Sequence, residues 1–391
     1  MTQSPIYLDN AATTPVREEV REAMLPFLGT DAFGNPSSAH RVGRTARAAV
    51  EQARRQVATA VGAEPAQVFF TGGGTEADNL AILGTALAAR ARGAPFRVAV
   101  TAIEHKAVLG AAHAVEALGG DAVILPVDAA GRVDLDALDA VLADGIAVVS
   151  AMWVNNEVGI VQDVAGLAAR CSAAGTPFHT DGVQALGKVP VDLRTLPHTI
   201  LTISAHKISG PKGVGAIVLE NKTLVHPLLH GGGQQSGVRP GTENVPGIVG
   251  FGRAAELAVA ELDATRRQMA ELQDTFERGV LAAVPDAQVN AAAAERAPHI
   301  SNVAIPGTDS EAMLMHLDLA GICCSAGSAC STGSTAPSHV LTALGIPEQV
   351  AKASLRFSFG HQSTAADVDA ALAALPPVAA KVRRLGTLLD R

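Results

Sequence analysis

From about residue 43 to 220 the sequence alternates helical stretches with short runs that are apolar from end to end. The runs are "VFF" at 68, "FRVAVTA" at 96, "DAVILPV" at 121, "IAVVSAMWV" at 146, "ILTISA" at 200 and "GVGAIVLE" at 213. Stretches such as "RTARAAVEQARRQVATAVG" and "HKAVLGAAHAVEALGG" lie between them. A strand covered on one face would alternate apolar and polar residues. These do not, so both of their faces are expected to be covered. The pattern predicts an α/β domain with a mostly parallel sheet. In such sheets ligands sit beyond the strand ends.

A chain of 391 residues exceeds what one apolar core organises, so two domains are expected. After the Gly-rich "HGGGQQSGVRPGTENVPG" at 230 to 247, an Ala/Glu/Arg-rich helical stretch runs to about residue 284 and forms the natural bridge. Beyond it come a strand "ISNVAI", a helix "DSEAMLMHLDLAG", a cysteine-bearing segment, a helix "APSHVLTALG", a strand "SLRFSFG" and a terminal helix. That order suits a smaller α+β domain. The expected division assigns residues 16–260 to the large domain, and 1–15 with 261–391 to the small one.

Hydrophobic residues make up 48% and charged residues 17%, the balance of a folded chain and not of a disordered one. A net charge of −8 and a pI near 5.8 leave no broad cationic surface, so nucleic acid is not an expected partner. The start, "MTQSPIYLDNAATTP", has no basic stretch followed by an apolar one, and no segment is long and uncharged enough to cross a bilayer. A soluble, cytoplasmic protein is expected. Four cysteines are too few for a disulfide scaffold, yet three of them fall in "CCSAGSAC" at 323 to 330. A metal site, a disulfide and a nucleophile are the alternatives there. Cys323 and Cys324 have no nearby His or fourth ligand, which argues against zinc or an iron–sulfur cluster, so no metal site is expected. Cys171, on a predicted helix, reads as core.

Four segments fall just after predicted strands: "TGGGTEADN" at 71, "EHK" at 104, "HTDGVQ" at 179 and "SAHKISGPKG" at 204. Gly72, Gly73 and Gly74 permit close backbone approach, and Thr75 starts a helix whose free amides attract an anion, although such turns are also ordinary loop chemistry. Lys207 follows an apolar strand, beside Ser204 and His206. It is either a solvated loop lysine or an amine projecting beyond the sheet, where desolvation makes it nucleophilic. Asp181, at the end of "PFHTD", either caps the next turn or pairs with a protonated ring nitrogen, as pyridoxal phosphate sites require alongside a lysine.

Taken in order, these motifs resemble those of the pyridoxal-phosphate-dependent cysteine desulfurases, the NifS/IscS group within the aspartate-aminotransferase-like fold. The similarity extends through "YLDNAATTP" at 7, "FGNPSS" at 33, "FTGGGTEADNLAI" at 70, "EHKAV" at 104, "VNNEVG" at 154, "DGVQALGK" at 181, "SAHKISGPKGVGA" at 204, "GGGQQSGVRPGTEN" at 231, "SAGSACS" at 325 and "SLRFSFG" at 354. It implies fold type I, with pyridoxal 5'-phosphate as cofactor and L-cysteine as substrate. By the same resemblance Lys207 carries the cofactor as a Schiff base, Asp181 partners the ring nitrogen, and His105 stacks on the ring and exchanges protons. Gln184 faces the ring oxygen and Asn156 helps orient ring and substrate. Thr75, Ser204, His206 and the backbone of Gly74 hold the phosphate, with Thr242 lent to it across a homodimer interface. Arg356, helped by Asn35, binds the substrate carboxylate.

Cys330 corresponds to the family's catalytic thiol, while Cys323 and Cys324 pack as small apolar residues. The implied reaction converts L-cysteine to L-alanine and leaves a persulfide on Cys330. The sulfur then goes to an acceptor, such as a scaffold protein of iron–sulfur cluster assembly or of another thio-cofactor pathway. A selenocysteine lyase or an aminotransferase of the same fold is the alternative, and a non-catalytic sulfur or iron–sulfur carrier is the alternative from another class.

Overall fold

The computed structural model describes residues 5–327 and 337–389. A two-residue strand, β1 (Ile6–Tyr7), precedes the main sheet. That sheet contains β2 (Val68–Thr71), β3 (Arg97–Thr101), β4 (Asp121–Leu125), β5 (Val148–Ser150), β6 (Phe178–Asp181), β7 (Thr199–Ser204) and β8 (Gly215–Val218), in the order β2-β8-β7-β6-β5-β3-β4. All pairings from β7 to β4 are parallel, and β8 runs antiparallel to both of its neighbours. The reversal has a simple cause. A parallel crossover needs a dozen or more residues, and only the short segment between Ser204 and Gly215 links β7 to β8.

The two edges of the sheet differ in burial. Every residue of β2, β5, β6, β7 and β8 is buried, whereas the edge strand β4 leaves Asp121 and Ile124 exposed. The apolar run at 121 therefore marks a half-covered edge and not a doubly covered strand. On one face the helix Arg41–Val61 buries Val50, Ala53, Val57 and Val61, spaced three or four apart as one helical face requires. The ring of His40 accepts from the Gly43 amide at its start, and Gly62 ends it at φ +68°, a conformation glycine adopts without strain.

The long helical stretch after residue 244 is two helices, Val245–Ala260 and Leu262–Ala283, meeting at Glu261. Past them, β9 (Gln288–Val289), β10 (Ile300–Ala304) and β12 (Ser354–Ser358) form an antiparallel sheet in the order β12-β10-β9. The strand β11 (Ile322–Cys323) pairs in parallel with β1. Leu8, Phe276, Val303, Leu317, Phe357 and Val382 belong to an apolar core separate from the one around the main sheet. The N-terminal segment thus packs with the C-terminal part of the chain, and the register Asn302↔Arg356 fixes Arg356 on β12.

Candidate active site

The parallel strands β2, β3, β5, β6 and β7 end at one edge of the sheet, and a cavity of about 200 Å³ opens there. Gly74, Thr75, His105, Asn156, Asp181, Gln184, Ser204, His206, Lys207 and Arg356 all line it. Ten side chains or backbone positions singled out from the sequence therefore meet in one place. Gly74 opens a helical run that continues to Ala91, through one wider turn at Leu80–Gly84. A Cβ at Gly74 would come within 3.1 Å of Val183 Cγ2 and 3.5 Å of Ser204 Cβ, so only a bare backbone leaves the space open.

Asp181 is buried, and its Oδ1 accepts from the Val183 amide at 2.8 Å. Burial raises its pKa, while the hydrogen bond from the Val183 amide and the nearby Lys207 charge oppose the rise. His105 precedes the helix Lys106–Ala117, and its Nδ1 accepts from the Ala107 amide at 3.1 Å. Burial lowers its pKa, so the ring is neutral with its proton on Nε2. Lys207 Nζ donates to the carbonyls of Ala11 at 2.6 Å and Ala12 at 2.7 Å. His206 Nδ1 lies 3.1 Å from Thr13 Oγ1, and burial pushes its pKa down to about 4.

Gln184 Nε2 donates to the Ala11 carbonyl at 2.8 Å, and its Oε1 faces Nε2 of the buried His299 at 3.1 Å. Arg356 is 1% exposed. Its Nη1 donates to the Asn156 carbonyl and its Nη2 to Asp9 Oδ1, both at 2.7 Å. Lys188, which sequence reasoning left without a role, is buried, donates to the Lys207 carbonyl at 3.2 Å, and has its pKa pushed down to about 8 by desolvation. Asp9, the Ala11 and Ala12 carbonyls and the Thr13 hydroxyl were likewise missed, although "YLDNAATTP" stood out as a motif. Asp78 also lines the cavity. It lies three residues beyond Thr75 on one helix face, a spacing that could have drawn attention to it.

Two expected residues are not in the cavity. Asn35 and Thr242 are exposed, and Asn35 Oδ1 accepts from the Ser37 amide at 2.9 Å. Cys330 lies outside the described residues, and Cys323 and Cys324 carry free thiols.

The residues present fit pyridoxal phosphate. The buried Ser204 hydroxyl has no hydrogen-bond partner among the described residues, beside the open backbone of Gly74 and the start of a helix. Such a corner suits an anion. A lysine amine and a buried carboxylate complete the donor set that this cofactor needs. Fold and site together define a pyridoxal-phosphate-dependent enzyme of fold type I.

Residues 6–371 match the family described as aminotransferase class-V, and the chain belongs to that family, among its NifS/IscS-like members. It is 47% identical over 384 residues to a protein of Cereibacter sphaeroides named cysteine desulfurase, covering 97% of each chain. To a protein of Dictyoglomus turgidum named cysteine desulfurase IscS it is 43% identical over 380 residues, 97% of this chain and 96% of that one. A solved structure titled NifS-like protein superposes with a TM-score of 0.89 at 34% identity, covering 96% of this chain and all of that one.

Proposed function

We propose that the protein is a cysteine desulfurase that takes sulfur from L-cysteine onto Cys330 and releases L-alanine. The observation that carries the reading is the meeting of Lys207, Asp181 and Arg356 in one cavity, from two different sheets. Bound pyridoxal phosphate supplies the electron sink for breaking bonds at the substrate's carbons. Lys207 holds the cofactor, Asp181 pairs with the ring nitrogen, and Ser204, His206, Thr75 and the Gly74 backbone receive the phosphate. Gln184 faces the ring oxygen, while Asn156 helps orient the substrate; Asn35, exposed and outside the cavity, is left without that part. Arg356 binds the substrate carboxylate through its planar fork. His105 exchanges its proton at Nε2, since Nδ1 is engaged by the Ala107 amide. The Cys330 thiolate attacks the substrate sulfur. A sulfur–sulfur bond forms as the carbon–sulfur bond breaks, and the carbon takes up a proton to leave as alanine.

The reading includes a homodimer. Thr242 is exposed and outside its own chain's cavity, as a residue lent to a second copy would be. Its segment is tied to the helix that begins at Gly74 by Arg239 Nε, which donates to Glu76 Oε1 at 2.9 Å. Two separate apolar cores support a division into residues 16–260, and 1–15 with 261–391. No helix among the described residues is long and apolar enough to cross a membrane. We place the enzyme in the cytoplasm, passing its sulfur to an iron–sulfur scaffold or another acceptor protein. Incubation with L-cysteine and a reductant tests the activity: alanine and sulfide should form in equal amounts. Keto acid in place of alanine would indicate transamination, and turnover of selenocysteine alone a lyase.

A further inference from the structure

Five side chains in and beside the sheet form a hydrogen-bonded chain under the cavity, and none of the roles above uses it. Glu104, Ser150, His179 and Thr202 are fully buried and Asp78 is 1% exposed. Glu104 Oε1 lies 3.3 Å from Ser150 Oγ, which lies 2.8 Å from His179 Nδ1. His179 Nε2 lies 3.2 Å from Thr202 Oγ1, which lies 2.6 Å from Asp78 Oδ1. The chain crosses β5, β6 and β7 and ends at the cavity wall. There Asp78, His105 and Asp181 each bring one ligand atom within 4.8 Å of the others.

Each link needs one hydrogen, and one end sets the direction. The Met152 amide donates to Glu104 Oε1 at 2.9 Å, and a backbone N–H cannot reverse. The Thr101 hydroxyl donates to the same oxygen at 3.1 Å, so Oε1 already receives two hydrogens. Burial pushes the Glu104 pKa up to about 8, and its proton sits on Oε2, which has no partner among the described residues, leaving Oε1 an acceptor toward Ser150 as well. Ser150 gives its hydrogen to Oε1 and must accept from His179 Nδ1–H. Burial keeps His179 neutral, its pKa pushed down to about 3. A neutral imidazole has one N–H, so Nε2 accepts from Thr202. Thr202 then has no hydrogen left for the 2.6 Å contact with Asp78, and Asp78 must supply it.

The opposite direction leaves the Ser150–Glu104 contact with no hydrogen between its oxygens. It also sets a second buried carboxylate against Asp181, a costly arrangement in a dry interior. We propose that this chain holds Asp78 as a neutral carboxylic acid, a positioning residue that leaves Asp181 as the anionic carboxylate of the pair facing the cavity. Burial and the Asp181 charge favour the same state by raising the Asp78 pKa. The consequence for Asp181 rests on its proposed pairing with the cofactor; the charge state of Asp78 does not.

The tautomer of His179 tests this directly. In ¹⁵N spectra of the histidine-labelled holoenzyme, with the signal assigned by its loss in His179→Gln, the proton should reside on Nδ1. Asp78→Asn should keep that tautomer, because its amide can donate to Thr202 as the acid does. A proton on Nε2, or on both nitrogens, in the wild-type protein would overturn the proposal. Infrared spectra give a reading that needs no histidine variant: Asp78→Asn should remove one protonated-carboxyl stretching band. An unchanged carboxyl region would overturn the proposal as well. Failure of the desulfurase reading would look different, with the tautomer as stated and no alanine formed from cysteine.

Discussion

The side chains at the ends of the parallel strands and the single arginine from β12 reach the same cavity by different routes. His105, Asp181, Ser204, His206 and Lys207 follow or end strands of one sheet whose register is fixed by burial on both faces. Arg356 belongs to another sheet with another core, and it is held at the cavity by Asp9 Oδ1 and the Asn156 carbonyl. The difference separates two tasks. On the roles proposed above, cofactor binding falls to residues at the strand ends of one sheet, whereas substrate recognition depends on how a second sheet meets it.

The sharpest way to break that comparison is Lys207→Ala. Losing the group proposed to anchor the cofactor should cut alanine formation by at least about a thousandfold. No borohydride-reducible lysine adduct should remain, and a surviving adduct would move the anchor elsewhere. Arg356→Lys should separate the two tasks, because an ammonium cannot supply two parallel hydrogen bonds. A loss of about 1.5 to 3 kcal/mol, roughly ten- to a hundredfold, should appear in the KM for cysteine while cofactor affinity stays unchanged. Equal loss of both would merge the two regions into one.

Asp9→Asn sharpens the picture at smaller scale. It exchanges a charge-assisted hydrogen bond to the buried guanidinium for a neutral one, so stability should fall by about 1 kcal/mol, read as a lower thermal midpoint. An unchanged midpoint would mean that Asp9 does not hold Arg356 in place. The smallest effect is expected at Cys324, where burial raises the thiol's pKa, with the Asp9 charge adding to the rise. A raised pKa keeps the thiol protonated at neutral pH, so alkylation should be slow until the pH is well above the usual thiol range. Cys324→Ala should keep activity within about twofold, leaving only a small packing defect.

The strand-end residues were legible because each follows a short apolar run, and the end of such a run in a parallel sheet is where ligands lie. The direction of β8 was not, since an apolar pattern is the same in either direction. Only the short link from Ser204 to Gly215 encodes the reversal. Arg356 came into view through the resemblance alone, because nothing near "SLRFSFG" tells which cavity its strand will face. The Ala11 and Ala12 carbonyls that receive Lys207 Nζ were invisible for a different reason. Every residue has a carbonyl, so residue type carries no signal of its use. The chain from Glu104 to Asp78 was hidden as well, for it joins residues from five segments through pairings that only the sheet order creates.

If the cavity delivers the substrate's sulfur to one thiol among three neighbours in sequence, as proposed, peptide mass spectrometry after a single turnover with L-cysteine will locate it. The added sulfur is expected on Cys330, with Cys330→Ser retaining bound cofactor but losing alanine formation. A hydroxyl of similar size has far too high a pKa to offer the attacking anion. Persulfide on Cys323 or Cys324, together with wild-type turnover in Cys330→Ser, would contradict it.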